Sequence, residues 1–104
     1  MQQEGIEICV NINDVRRNID SIDSEIVALI AKRGAYVKQA AQFKQTTLDV
    51  DAPKRVARVI EKVTTLAHST GANIDVVQAV WKAMIHSFIE VEKKEFYEII
   101  SKWI

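Results

Sequence analysis

With three glycines, one proline and one cysteine in 104 residues, this chain has little to punctuate or cross-link it. A single cysteine, Cys9, excludes an internal disulfide and fits a reducing, cytoplasmic setting. Cys9 stands in a short tail with neither histidine near it in sequence, which favours an inert thiol over a catalytic one. No apolar run approaches the ~18–20 residues that a membrane span needs. The opening "MQQEGIEICVNIN" lacks a basic stretch and a long apolar stretch, so no secretory signal is expected. Fourteen basic residues balance fourteen acidic ones, and no basic stripe stands out, which argues against a nucleic-acid partner. There is no glycine-rich phosphate loop, no cluster spaced to ligate a metal and no Ser/His/Asp arrangement. His68 and His86 are isolated from each other and read as surface or satisfied histidines.

What is present is helix. The chain is 48% hydrophobic, enough for one domain with a core, and its apolar residues recur by threes and fours. The spacing predicts an all-α chain of three helices after a tail over residues 1–12. Asn13 or Asp14 is placed to cap the first helix, whose stripe runs Val15, Ile19, Ile22, Ile26, Leu29, Val37 and Ala40 and whose pattern lasts to Lys44. Residues 46–52, "TTLDVDA", break the pattern. Asp51 as a cap and Pro53 in a first turn predict a second helix, with Val56, Val59, Ile60, Val63, Leu66 and Ala67 inward and Gly71 at its end. Asn73 is suited to cap a third, reaching about Lys102. Its stripe is Val77, Val80 or Trp81, Met84, Phe88, Glu92, Phe96 and Ile99, with Ile85, Ile89 and Trp103 beside it. A first helix of ~32 residues is ~48 Å long. A compact domain of this size has a radius of gyration of only ~13 Å. One end of the helix therefore outruns the chain's own core while its apolar stripe continues, which points to a second copy, antiparallel, in a two-fold homodimer.

Three ionisable residues fall in core phase: Arg33, Lys44 and Glu92. A long cation at the edge of a stripe can snorkel to water, but burying a charge without a partner is costly. Arg33 and Lys44 are three turns and ~16 Å apart along a helix, close enough for long side chains to grip a small ligand between them. Arg55, at the start of the second helix, can join across the short connection. Arg16 is ~25 Å from Arg33 and reaches such a pocket only from a partner's antiparallel helix. Up to four cations and one carboxyl inside a helix bundle suit a small polyanion, most naturally a dicarboxylate, because guanidinium forks match carboxylates. Such a site holds and polarises a substrate rather than attacking it, and calls for no metal or cofactor.

The segment "VRRNIDSIDSEIVALIAKRGAYVKQAAQFK" resembles the first helix of the all-α chorismate mutases. Arg16, Asp23, Arg33 and Lys44 occupy the family's opening arginine, the aspartate of its Ile/Leu-Asp pair, its second arginine and the lysine 11 residues later. The likeness runs over about residues 12–100. "IDSIDSEIV", "YVKQAAQFK", "APKRVA" and "MIHSFIEVE" are most similar to the isochorismate pyruvate-lyase branch of siderophore and salicylate biosynthesis. The resemblance implies an intertwined dimer of three-helix chains with two composite sites. It implies that Arg33 and the partner's Arg16 hold the two substrate carboxylates, that Lys44 faces the ether oxygen of the enolpyruvyl arm, and that Arg55 helps from a lid formed by residues 45–52.

Two departures from the bacterial mutase pattern bear on substrate. The family's glutamate after the lid arginine and its aspartate three residues before that arginine meet the hydroxyl of chorismate; here those positions are Val56 and Ala52. Their loss favours isochorismate, whose hydroxyl sits elsewhere on the ring. Glu92 stands where bacterial members have a glutamine that donates to the ether oxygen, and an ionised glutamate cannot donate; some fungal mutases carry glutamate there. The expected activity is therefore isochorismate pyruvate-lyase with side chorismate mutase activity. The alternatives are chorismate mutase as the main role and a catalytically silent helical dimer. The four cations argue against the last.

Overall fold

The computed structural model describes residues 5–103. Its helices are α1 (Ile12–Ala41), α2 (Thr47–Asp51), α3 (Pro53–Thr70) and α4 (Ile74–Ser101), and no strand occurs among the described residues. The all-α expectation and the three long helices hold; α2 is an addition. The chain divides into two compact units, one up to Tyr36 and one from Val37 on, with the division inside α1.

In the first unit the helix begins earlier than Asn13 or Asp14 would have it. Asn11 Oδ1 accepts from the Asp14 N–H at 2.9 Å, so Asn11 is the cap. Asp14 then falls in the first turn, where a carboxylate favours the helix's positive end, and accepts from Arg17 Nη2 at 2.9 Å. The expected stripe is in place on α1, but Val15, Ile19, Ile22, Ile26 and Leu29 are all exposed.

In the second unit, α2 and α3 both pack on α4. The core holds Ala41, Val50, Val63, Ala67, Ile85 and Phe96, with Glu92 buried among them. α1 stops at Ala41, three residues short of the expected end. Past it, the N–H groups of Gln42, Phe43 and Lys44 bond carbonyls only three residues back, at 3.1, 3.0 and 3.3 Å. The tighter turn takes Lys44 off the helix. The three-turn, one-face relation of Arg33 to Lys44 is thereby corrected.

Residues 45–52 are likewise not a plain loop. Thr46 and Asp49 form a reciprocal capping box at the start of α2. Asp51, expected to cap the next helix, instead ends α2. Ala52, left-handed at φ 37°, joins the two helices without a side-chain cap, and Pro53 opens α3. Gly71 ends α3 at φ 77°, and Asn73 Oδ1 caps α4 by accepting from the Val76 N–H at 3.0 Å, both as expected. Of the alternatives on α4, Trp81 is the half-buried residue and Val80 is 48% exposed. Two apolar residues expected inside are outside. Leu66 is 49% exposed, at the edge of the face that buries Val63 and Ala67. Trp103 is 86% exposed, because it lies beyond the helix cap at Lys102 and leaves the helical phase.

Candidate active site

The second unit brings Lys44 and Glu92 together. Lys44 Nζ donates to the Asp49 carbonyl oxygen at 3.0 Å and stands 3.8 Å from Glu92 Oε1. The latter distance is an ion pair rather than a hydrogen bond of ordinary length. Glu92 lies between Phe88 and Phe96 on α4 and is only 8% exposed. Its Oε1 is shielded from solvent and has no hydrogen-bond partner among the described residues. Burial pushes the Glu92 carboxyl above its ordinary range; the Lys44 ammonium pulls the other way and is outweighed. This is the arrangement that the core phase of Glu92 foretold: a carboxyl held largely out of water, beside a cation.

Two more ion pairs flank it. Lys38 Nζ is 3.3 Å from Glu95 Oε1, and Lys93 Nζ is 3.1 Å from Asp51 Oδ1. Pairs this exposed contribute little to stability each. Together with Lys44–Glu92 they still match three points along residues 38–51 to residues 92–95 on one helix, which sets the register of the connection on α4. Asp49 organises the turn between them. Its Oδ2 accepts from the Gln45 and Thr46 N–H groups, both at 3.0 Å, and Thr46 Oγ1 accepts from the Asp49 N–H at 3.2 Å. The two backbone donors, more than the Thr46 hydroxyl and the Lys44 charge, hold the Asp49 carboxyl below its ordinary range.

Arg55 is exposed in the first turn of α3, and Val56 beside it is half-buried. Neither Ala52 nor Val56 offers a side-chain oxygen. Arg16 and Arg33 belong to the first unit, Arg16 exposed and Arg33 half-buried, 17 residues or ~25 Å apart along α1. His68 and His86 are exposed. Sequence reasoning missed Thr46 and Asp49, although Thr-x-x-Asp is a capping signature, and missed the Asp51–Lys93 and Lys38–Glu95 pairs, which join residues more than 40 positions apart.

Within the second unit a buried carboxyl is thus paired with a lysine on an all-α frame, beside the turn that Asp49 organises. The chain belongs to the chorismate mutase type II family, whose sequence pattern matches residues 15–93, and it is an enzyme of that family. It is 33% identical over 88 residues to the isochorismate pyruvate lyase of Pseudomonas aeruginosa, covering 85% of this chain and 87% of that protein. It is 30% identical over 66 residues to the chorismate mutase of Methanocaldococcus jannaschii, covering 61% of this chain and 67% of that one. It is 28% identical over 91 residues to the T-protein of Haemophilus influenzae, of which the match covers only 24%. No helix among the described residues is long and apolar enough to cross a membrane.

Proposed function

We propose that this chain is an isochorismate pyruvate-lyase with side chorismate mutase activity, working as a homodimer. The observation that carries the choice of substrate is the pair Ala52 and Val56. At the two positions where the mutase pattern has carboxylates for the hydroxyl of chorismate, this site has an alanine in a left-handed joint and a half-buried valine. The likeness to the P. aeruginosa lyase over most of both chains supports the same reading.

The reaction needs confinement and charge, not a nucleophile. In isochorismate the ring–ether C–O bond breaks while a ring hydrogen moves to the methylene carbon of the enolpyruvyl arm. Ring and arm leave as salicylate and pyruvate, with every atom accounted for. Negative charge grows on the ether oxygen as the bond breaks. A preorganised cation in a partly dry site stabilises that charge far more than water does. Lys44 supplies it, since its ammonium is already directed by the Asp49 carbonyl and Glu92. Protonated Glu92 adds a donor to the same oxygen. Arg33 and the partner's Arg16 hold the carboxylates, and Arg55 covers the arm, so that the arm is held over the ring. The exposed stripe of α1, from Val15 to Leu29, is the surface that a second copy covers, and the antiparallel pairing brings Arg16 into the partner's site.

The test is a comparison of kcat/KM for the purified protein on isochorismate and on chorismate. The lyase reading expects the higher value on isochorismate, with prephenate from chorismate as a minor product. A higher value on chorismate makes the chain a chorismate mutase, and no turnover of either overturns both substrate readings.

A further inference from the structure

Lys44 has left the helix, so the ladder of α1 does not hold it. Its backbone is tied by one 3.3 Å bond from its N–H to the Ala41 carbonyl. Besides the 3.8 Å ion pair to Glu92, what holds the ammonium is a hydrogen-bonded ring closed through Asp49. Lys44 Nζ donates to the backbone oxygen of Asp49, and the side chain of Asp49 accepts from the N–H of Gln45, the residue next to Lys44. The Thr46 N–H to Asp49 Oδ2 and Asp49 N–H to Thr46 Oγ1 bonds brace the ring from inside. A lysine on a flexible four-carbon stem loses its rotational freedom only where something outside the stem fixes the head. Here the fixed point is the Asp49 carbonyl, and the Thr46–Asp49 box sets where that carbonyl stands.

From this ring we infer that Thr46 and Asp49 are positioning residues for Lys44: the box aims the ammonium, not merely starts α2. A five-residue helix gains little from a cap on its own account, because so short a helix is marginal with or without one. The ring also needs an acceptor at 49 and a hydroxyl at 46, not particular residues. The inference rests on Lys44 as the cation that meets the ether oxygen.

The experiment is a double-mutant cycle between Lys44 and Asp49, read as kcat and KM separately on isochorismate and on chorismate, with folding checked by circular dichroism. Asp49→Ala is expected to lower kcat by about tenfold, within the ~10²-fold that an ångström of misplacement can cost, with KM moving much less. Asp49→Asn keeps an acceptor oxygen and is expected to recover most of the loss; Thr46→Ala should lower kcat and Thr46→Ser recover it. In a Lys44→Ala background Asp49→Ala should do nothing further, because its effect passes through the missing ammonium. If Lys44→Ala lowers kcat but Asp49→Ala does not, or if the two losses multiply in full, the positioning role is overturned. If Lys44→Ala itself retains kcat, it is the assignment of Lys44 that falls, and with it this inference. Should Asp49→Ala fail to fold, the Thr46→Ala and Thr46→Ser pair decides by the same criteria.

Discussion

Glu92 should give the enzyme an activity limb that is lost as pH rises and that Glu92→Gln removes. The carboxyl is buried on α4 and 3.8 Å from Lys44, and the net effect of those surroundings is to hold its proton more tightly than water does. In the proposed mechanism the protonated carboxyl donates to the ether oxygen; ionised, it cannot, and it then draws the Lys44 ammonium to itself. Both effects act in one direction, and both turn on one proton. On the alkaline side of the Glu92 titration kcat/KM is therefore expected to fall about tenfold per pH unit, the slope of a single ionisation. Glutamine donates at every pH, so the variant's profile should be flat across the same range. The stability sign follows from the same shift. Between the unfolded carboxyl's pKa and the higher folded one, the folded state binds more protons, so stability falls as pH rises through that window. It then stays at the lower level. Glu92→Gln should accordingly be more stable than the wild type above the window and close to it below. The assays are kcat/KM against pH for both proteins, with urea unfolding at each pH. Parallel activity profiles would show that Glu92 is not the titrating donor, leaving it as the structural partner of Lys44.

Lys44→Ala is expected to lower kcat by ~10²–10³, as loss of a preorganised donor typically does; a folded variant with near wild-type kcat would refute the assignment. Arg16 should act in trans. Mixing inactive Arg16→Ala and Arg33→Ala dimers under subunit exchange makes half of the dimers mixed, each with one intact site of two, so about a quarter of wild-type activity should return. No recovery despite proven exchange would count against a shared site. Ala52→Asp with Val56→Glu should raise kcat/KM on chorismate relative to isochorismate, because it returns acceptors at the two positions that lack them; aspartate tolerates the left-handed backbone at 52 better than most residues. An unchanged ratio would mean that these positions do not select the substrate.

The long elements were legible because they rest on periodicity, which averages over many residues. Glu92 in the core phase of α4 came from spacing, and Gly71 and Asn73 at the ends of their helices from the capping preference of their residue types. What escaped was the connection, where four or five residues decide the geometry and no period exists. Lys44 keeps the phase of the α1 stripe on paper, yet i→i−3 bonding tightens the turn before it arrives. The same short span hid a readable signal. Thr46-x-x-Asp49 marks a helix start, and its neighbours Asp51 and Pro53 marked another just beyond, so reading one helix start there concealed that there were two.

The place of Lys44 off the helix bears on the proposed catalysis. A lysine on the face of α1 would take its direction from the helix axis, and substitutions in residues 45–52 would then act on substrate entry alone. Off the helix, Lys44 takes its direction from Asp49 on one side and from Glu92 on the other. The two differ in chemistry. The Asp49 carbonyl is a fixed acceptor at any pH, whereas the pull of Glu92 grows when it ionises. Displacing the first, by removing the Asp49 side chain that positions it, should therefore cost activity over the whole pH range, and removing the charge of the second should restore activity only where Glu92 would be ionised. A pH profile of Asp49→Ala parallel to the wild type but lower, beside a Glu92→Gln profile that departs only at high pH, is the pattern this geometry requires.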